Sequence, residues 1–184
     1  MSLSGPDPSD LDQQALLHSL ADRLGSVADR LPLPDQIRLD PGVSEILDDE
    51  IRHLAGLLGY LAGEHARLHR AAANYPSRLT VTGRRTALAL ASAAEPTGAA
   101  LAALGHAVHH LGHLADLAHQ PPSPAHARST AAVHQGLTNC MREVRMLLAR
   151  AAKDLRTAAD TRTAPHAAPP YPAPAASAAT SRTR

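Results

Sequence analysis

Residues 40–72 read DPGVSEILDDEIRHLAGLLGYLAGEHARLHRAA, and the order of apolar and polar side chains in this stretch decides the fold. Leu47, Ile51, Leu54, Leu58, Leu61, His65, Leu68 and Ala72 recur in steps of three and four, which gathers them on one face of an α-helix. Asp40 as N-cap and Pro41 at the first helical position open this helix, because a proline there gives up an amide that would have had no partner anyway. Asn74, Tyr75 and Pro76 stop it.

The same pattern extends to both sides. Upstream, Ser9 with Asp12 three residues on reads as a capping box, and Leu17, Leu20, Leu24, Val27 and Leu31 form the stripe of a first helix that Pro32 and Pro34 end. Downstream, Ser77 to Gly83 reads as extended chain or loop, too short and isolated to start a sheet. A third helical region runs from about Thr82 to His119, and Pro96 is expected to kink or divide it. Its second half carries Leu101, Leu104, Val108, Leu111, Ala115 and Ala118. After Pro121 and Pro122, Ser123 and Pro124 cap a last helix with the stripe Val133, Leu137, Cys140, Val144, Leu147, Ala151 and Ala158. The expected fold is all-α: an antiparallel up-down bundle of about four long helices, the third kinked near Pro96. Residues 1–8 are expected to be flexible, 9–160 to form the bundle, and 161–184, a Pro/Ala-rich tail with one Tyr and no Leu, Ile, Val or Met, to be disordered.

The core must be made of Leu, Ile, Val and Ala, since the chain has no Phe and no Trp. Residues 1–75 hold 12 acids against 6 Arg, and residues 76–184 hold 12 bases against 5 acids, so the halves differ in sign. Within one bundle that asymmetry lets acidic helices lie beside basic ones. A single cysteine, Cys140, excludes an intrachain disulfide and fits a reducing, cytoplasmic setting, and its place in the stripe predicts a core thiol. The N-terminus shows no basic region followed by an apolar run. The most apolar stretch, Ala87 to Leu104, is interrupted by Glu95 and Pro96, so no membrane span is expected.

Several local patterns bear on chemistry. His106, His109, His110 and His113 project together on the side of the third helix opposite Val108 and are expected to form its solvated polar face, although spacings of three and four could chelate a transition metal or gather charge below about pH 6.5. His65 and His69 project into the stripe of the second helix and are expected to hydrogen-bond a neighbouring helix. Gly98, Gly105 and Gly112 recur every seven residues, a helix-weakening choice that close approach by a neighbouring helix, of this chain or of another subunit, would explain. Arg142, Arg145, Lys153 and Arg156 form a basic face on the last helix, but no recognition turn, metal knuckle or aromatic platform accompanies them.

Glu50-Ile51-Arg52-His53 resembles one half of the paired Glu-x-x-His motif of ferritin-like di-iron bundles, a resemblance of four residues. Such a site needs a second pair and two more inward carboxylates, and the nearest counterpart is Asp116-Leu117-Ala118-His119, with Asp for Glu. Phosphate-loop, dinucleotide, zinc-protease and nucleophile-elbow motifs are missing. The expectation is a non-enzymatic interaction or regulatory protein without a cofactor, its partner a protein or a second copy of the chain. A metal- or pH-responsive protein using the His-rich helix comes second. Weak nucleic-acid binding by the basic half comes third, and nucleic acid is not the expected partner.

Overall fold

The computed structural model describes residues 8–33, 37, 41–75 and 80–161, with the side chains of residues 8–10 and 41 left aside. Four helices follow one another: α1 (Pro8–Arg30), α2 (Pro41–Asn74), α3 (Val81–Ala118) and α4 (Pro124–Asp160), with no strand among the described residues. α1 begins at Pro8, so Ser9 lies within the helix and not ahead of it as a cap. The expectations for residues 1–7, the Asp40 cap, Pro34, Pro76 and the tail beyond Thr161 lie outside what is described.

The cap at Ser123 acts as the sequence predicts, whereas the one at Thr80 falls in the stretch read as extended chain or loop, whose last residues, Val81 to Gly83, are helical. Ser123 is extended, its hydroxyl accepts from the His126 amide at 3.0 Å, and Pro124 takes the first helical position. At the start of α3 the Thr80 hydroxyl accepts from the Gly83 amide at 3.0 Å. Pro96 does not divide α3, which runs unbroken across it. Buried Thr97 donates its hydroxyl to the Ala93 carbonyl at 2.7 Å, which gives an acceptor beside the missing proline amide a second partner.

α3 packs most extensively on α4, α1 lies along α4 and α2 along α3, while α1 and α2 meet over a shorter length. Leu58 stands beside Gly98 and His65 beside Ala87 across α2 and α3. Across α1 and α4, Asp22 meets Arg156 and Ala28 meets Arg145, so numbers rise along one helix as they fall along its neighbour. Leu17, Leu20, Leu24, Val27 and Leu31 of the α1 side are all buried, as are Leu47, Leu54 and Leu61 of α2. Each fully buried Leu contributes about 1.5–3 kcal/mol of transfer free energy. α3 contributes chiefly Ala93, Ala100, Ala103 and Ala107, whose small side chains let α4 come close.

The expectation that no segment can span a membrane is overturned. α3 contains an 18-residue window of mean hydropathy 1.4, long and apolar enough to cross a bilayer by length and composition. Glu95 and Pro96 do not interrupt it enough, since so many of its other residues are Ala and Leu and a proline is tolerated in membrane helices. Core helices of soluble proteins meet the same criterion, and 39% of that window is buried inside the bundle.

Candidate functional site

The His-rich segment of α3 is rotated from its expected setting. Ala103, Leu104, Ala107 and Leu114 are buried, whereas Val108 is 45% exposed and Ala115 and Ala118 face solvent. With alanines on several sides of α3, the larger apolar residues alone misplace the core face by a fraction of a turn. The rotation divides the histidines: His106, His109 and His113 are exposed, and His110 is half-buried. His110 lies over Gly136 of α4, where an added Cβ would stand 2.6 Å from its Cε1 and 2.7 Å from its Nε2. A side chain at this position would require the ring to shift, and sequence reading missed the position because Gly136 belongs to no repeat. Burial lowers the His110 pKa from its ordinary 6.5, with further lowering by the neighbouring His109, His113 and His106. The rings of His109 and His113 are 4.5 Å apart between centroids, in an edge-to-face arrangement, and those of His109 and His110 are 6.0 Å apart.

On α2, His65 is half-buried and donates from Nδ1 to the Ala87 carbonyl of α3 at 2.9 Å, the kind of bond its inward position predicts. His69 is exposed, its ring 6.2 Å from that of His65. Glu50 is buried and paired to Arg30, Nε to Oε1 3.3 Å, while its Oε2 is buried with no hydrogen-bond partner among the described residues. His53, the other half of the Glu-x-x-His resemblance, is exposed. No group of three or more His, Cys, Asp or Glu side chains that could hold a metal ion occurs among the described residues. The residues present do not fit a di-iron centre.

The basic face of α4 is partly spent inside the molecule. Half-buried Arg145 reaches α1, donating from Nε to the Ala28 carbonyl at 3.3 Å and from Nη2 to the Leu31 carbonyl, so it caps carbonyls that the end of α1 leaves open. Arg156 pairs with Asp22 of α1 at 3.0 Å. Arg142 bonds Asn139 of its own helix at 3.2 Å, and Lys153 is exposed.

Cys140 is half-buried against the core, not enclosed in it as the stripe predicts. Its thiol pKa is raised above the ordinary 9.0, first by burial and then by the Glu143 carboxylate. Labelling by a thiol reagent near neutral pH is expected to be several-fold slower in the native protein than in the denatured chain. Equal rates in a stopped-flow assay would show that neither burial nor Glu143 restrains the thiol.

The glycines of α3 do not line a crossing within the chain. Gly105 and Gly112 are exposed, and a Cβ at either would meet nothing within 4 Å, while one at Gly98 would make ordinary contact with Leu58 at 3.9 Å. Gly56, Gly59 and Gly63 on the outer face of α2 are equally open. Between the two helices, Ile51, Val108, Leu111 and Gly112 line an open groove of about 430 Å³, with Asp48 at its edge. No known protein family, curated protein or solved structure matches this chain.

Proposed function

We propose that this protein is a non-enzymatic helical scaffold that binds a protein partner or a second copy of itself through the outer surfaces of α2 and α3. The observation that carries the reading is the set of five exposed helical glycines, Gly56, Gly59, Gly63, Gly105 and Gly112, with nothing packed on them. Each costs the helix roughly 1 kcal/mol relative to alanine, and no contact within the chain offsets that cost. A surface free of side chains lets another backbone approach closely, which is how such positions gain favourable contacts. The basic half supports nucleic-acid binding less well, since Arg145 and Arg156 are engaged by α1.

The test places a photo-crosslinking residue at Gly59 or at Gly105 of the full chain in its own cells, with Arg142 as the control position. Adducts of defined mass from the first two positions and not from the third are expected. Their absence would overturn the reading. Light scattering on the purified chain separates a second copy from a different protein.

The same surfaces make a stability prediction. In the isolated monomer, Gly105→Ala and Gly112→Ala should each stabilise the fold by about 0.5–1 kcal/mol, because the methyl enters open space and helix propensity rises. If the purified protein is a dimer through this face, the same methyls overpack it and the midpoint of thermal unfolding falls.

A further inference from the structure

We propose that His109 and His113 form a chelating pair for a divalent transition-metal ion, Cu²⁺ or Ni²⁺, on the exposed face of α3. The two stand four residues apart, one helical turn, and both side chains reach solvent, so an ion can arrive without opening the bundle. A metal–nitrogen bond of about 2.0–2.1 Å, with roughly 1.1 Å from ring nitrogen to ring centre, places each centroid about 3.2 Å from the ion. Two imidazoles at right angles around it then stand about 4.5 Å apart, and two at a tetrahedral angle about 5.2 Å. The rings of His109 and His113 are already 4.5 Å apart. That separation fits adjacent positions of a square-planar or octahedral ion, and the remaining positions are left to water, since no third ligand stands with them among the described residues.

The other histidine pairs fit less well. His65 and His69 are 6.2 Å apart, and the Nδ1 of His65 is engaged by the Ala87 carbonyl. His109 and His110 are 6.0 Å apart, and the His110 ring is seated on Gly136. The inference goes beyond the scaffold reading and does not depend on it, because the pair lies on one helix of one chain.

Calorimetric titration of the full chain with Ni²⁺ tests it, beside His109→Ala, His113→Ala and, as a control on an exposed single histidine, His53→Ala. One saturable site per chain is expected, weakened about tenfold or more by either of the first two substitutions and unchanged by the third. All three side chains are exposed, and thermal melts verify that the variants stay folded. In parallel, sub-stoichiometric Cu²⁺ should broaden the ring-proton resonances of His109 and His113 before those of His65 and His69. Absence of saturable binding would overturn the proposal, as would unchanged affinity in both His109→Ala and His113→Ala, or first broadening at His65.

Discussion

Replacing Arg30 with alanine is expected to destabilise the protein by about 2–3 kcal/mol, an effect far larger than an ordinary surface ion pair would show. Glu50 is only 4% exposed, and among the described residues its carboxylate has one cationic partner, the Arg30 guanidinium, which Ser26 steadies through its carbonyl at 3.1 Å and its hydroxyl at 3.0 Å. Removing Arg30 leaves a buried negative charge with nothing to balance it. Breaking a fully buried pair costs about 3–5 kcal/mol, and because the Arg30 side chain is 48% exposed a smaller cost of about 2–3 kcal/mol applies here. Glu50→Leu is expected to be close to neutral, since it removes a buried oxygen that has no partner, and in the Arg30→Ala background it should recover most of the loss. Urea denaturation of the four proteins closes the cycle. An Arg30→Ala cost below about 0.5 kcal/mol would mean that water reaches Glu50 and that the pair holds nothing together.

The second large effect is expected at Gly136, where alanine should destabilise by about 1–2 kcal/mol although it favours helix. The new methyl would stand 2.6 Å from the His110 ring, so the half-buried ring must shift and give up contact with α4. In a His110→Ala background the obstacle is gone, and the same substitution should instead stabilise by roughly 1 kcal/mol, a change of sign that a helix-propensity effect alone cannot give. The ring also ties stability to pH. Its pKa in the folded protein is lowered from 6.5, so the unfolded chain binds more protons below that pH and stability falls as pH drops through about 6.5. His110→Asn should flatten that part of the curve, and an unchanged slope would place the proton uptake on other groups.

How far the sequence discloses this molecule depends on side-chain size. α1 is legible because four leucines and a valine, Leu17, Leu20, Leu24, Val27 and Leu31, trace the buried face on its side of the bundle, and α4 begins where Ser123 and Pro124 place it. α3 is not legible in rotation, because alanine carries little information on facing, so Val108 takes the place in the stripe that Ala107 holds in the structure. The same alanines make a helix look too weak for a membrane when its summed hydropathy is sufficient. The pairing of Glu50 escapes the sequence because nothing in the motif around it points to Arg30, twenty residues away, which meets it in the fold. Of the histidines, His65 is legible from its place on the inward face, whereas the 4.5 Å approach of His109 to His113 depends on rotamers that no spacing specifies.

The unequal lengths of the helices bear on how the molecule comes apart. α1, of 23 residues, spans roughly 35 Å, against roughly 55 Å for α3 and α4 with 38 and 37. The most extensive interface joins α3 to α4, neighbours in sequence whose short connection makes their meeting entropically cheap. α1 reaches its main partner, α4, only across the whole intervening chain. The α3–α4 pair, which shares the most extensive interface, is therefore expected to be the most persistent foldon. When α1 leaves, Arg145 loses the Ala28 and Leu31 carbonyls it caps, so the guanidinium that closes the native bundle becomes a free cation in the partly open one.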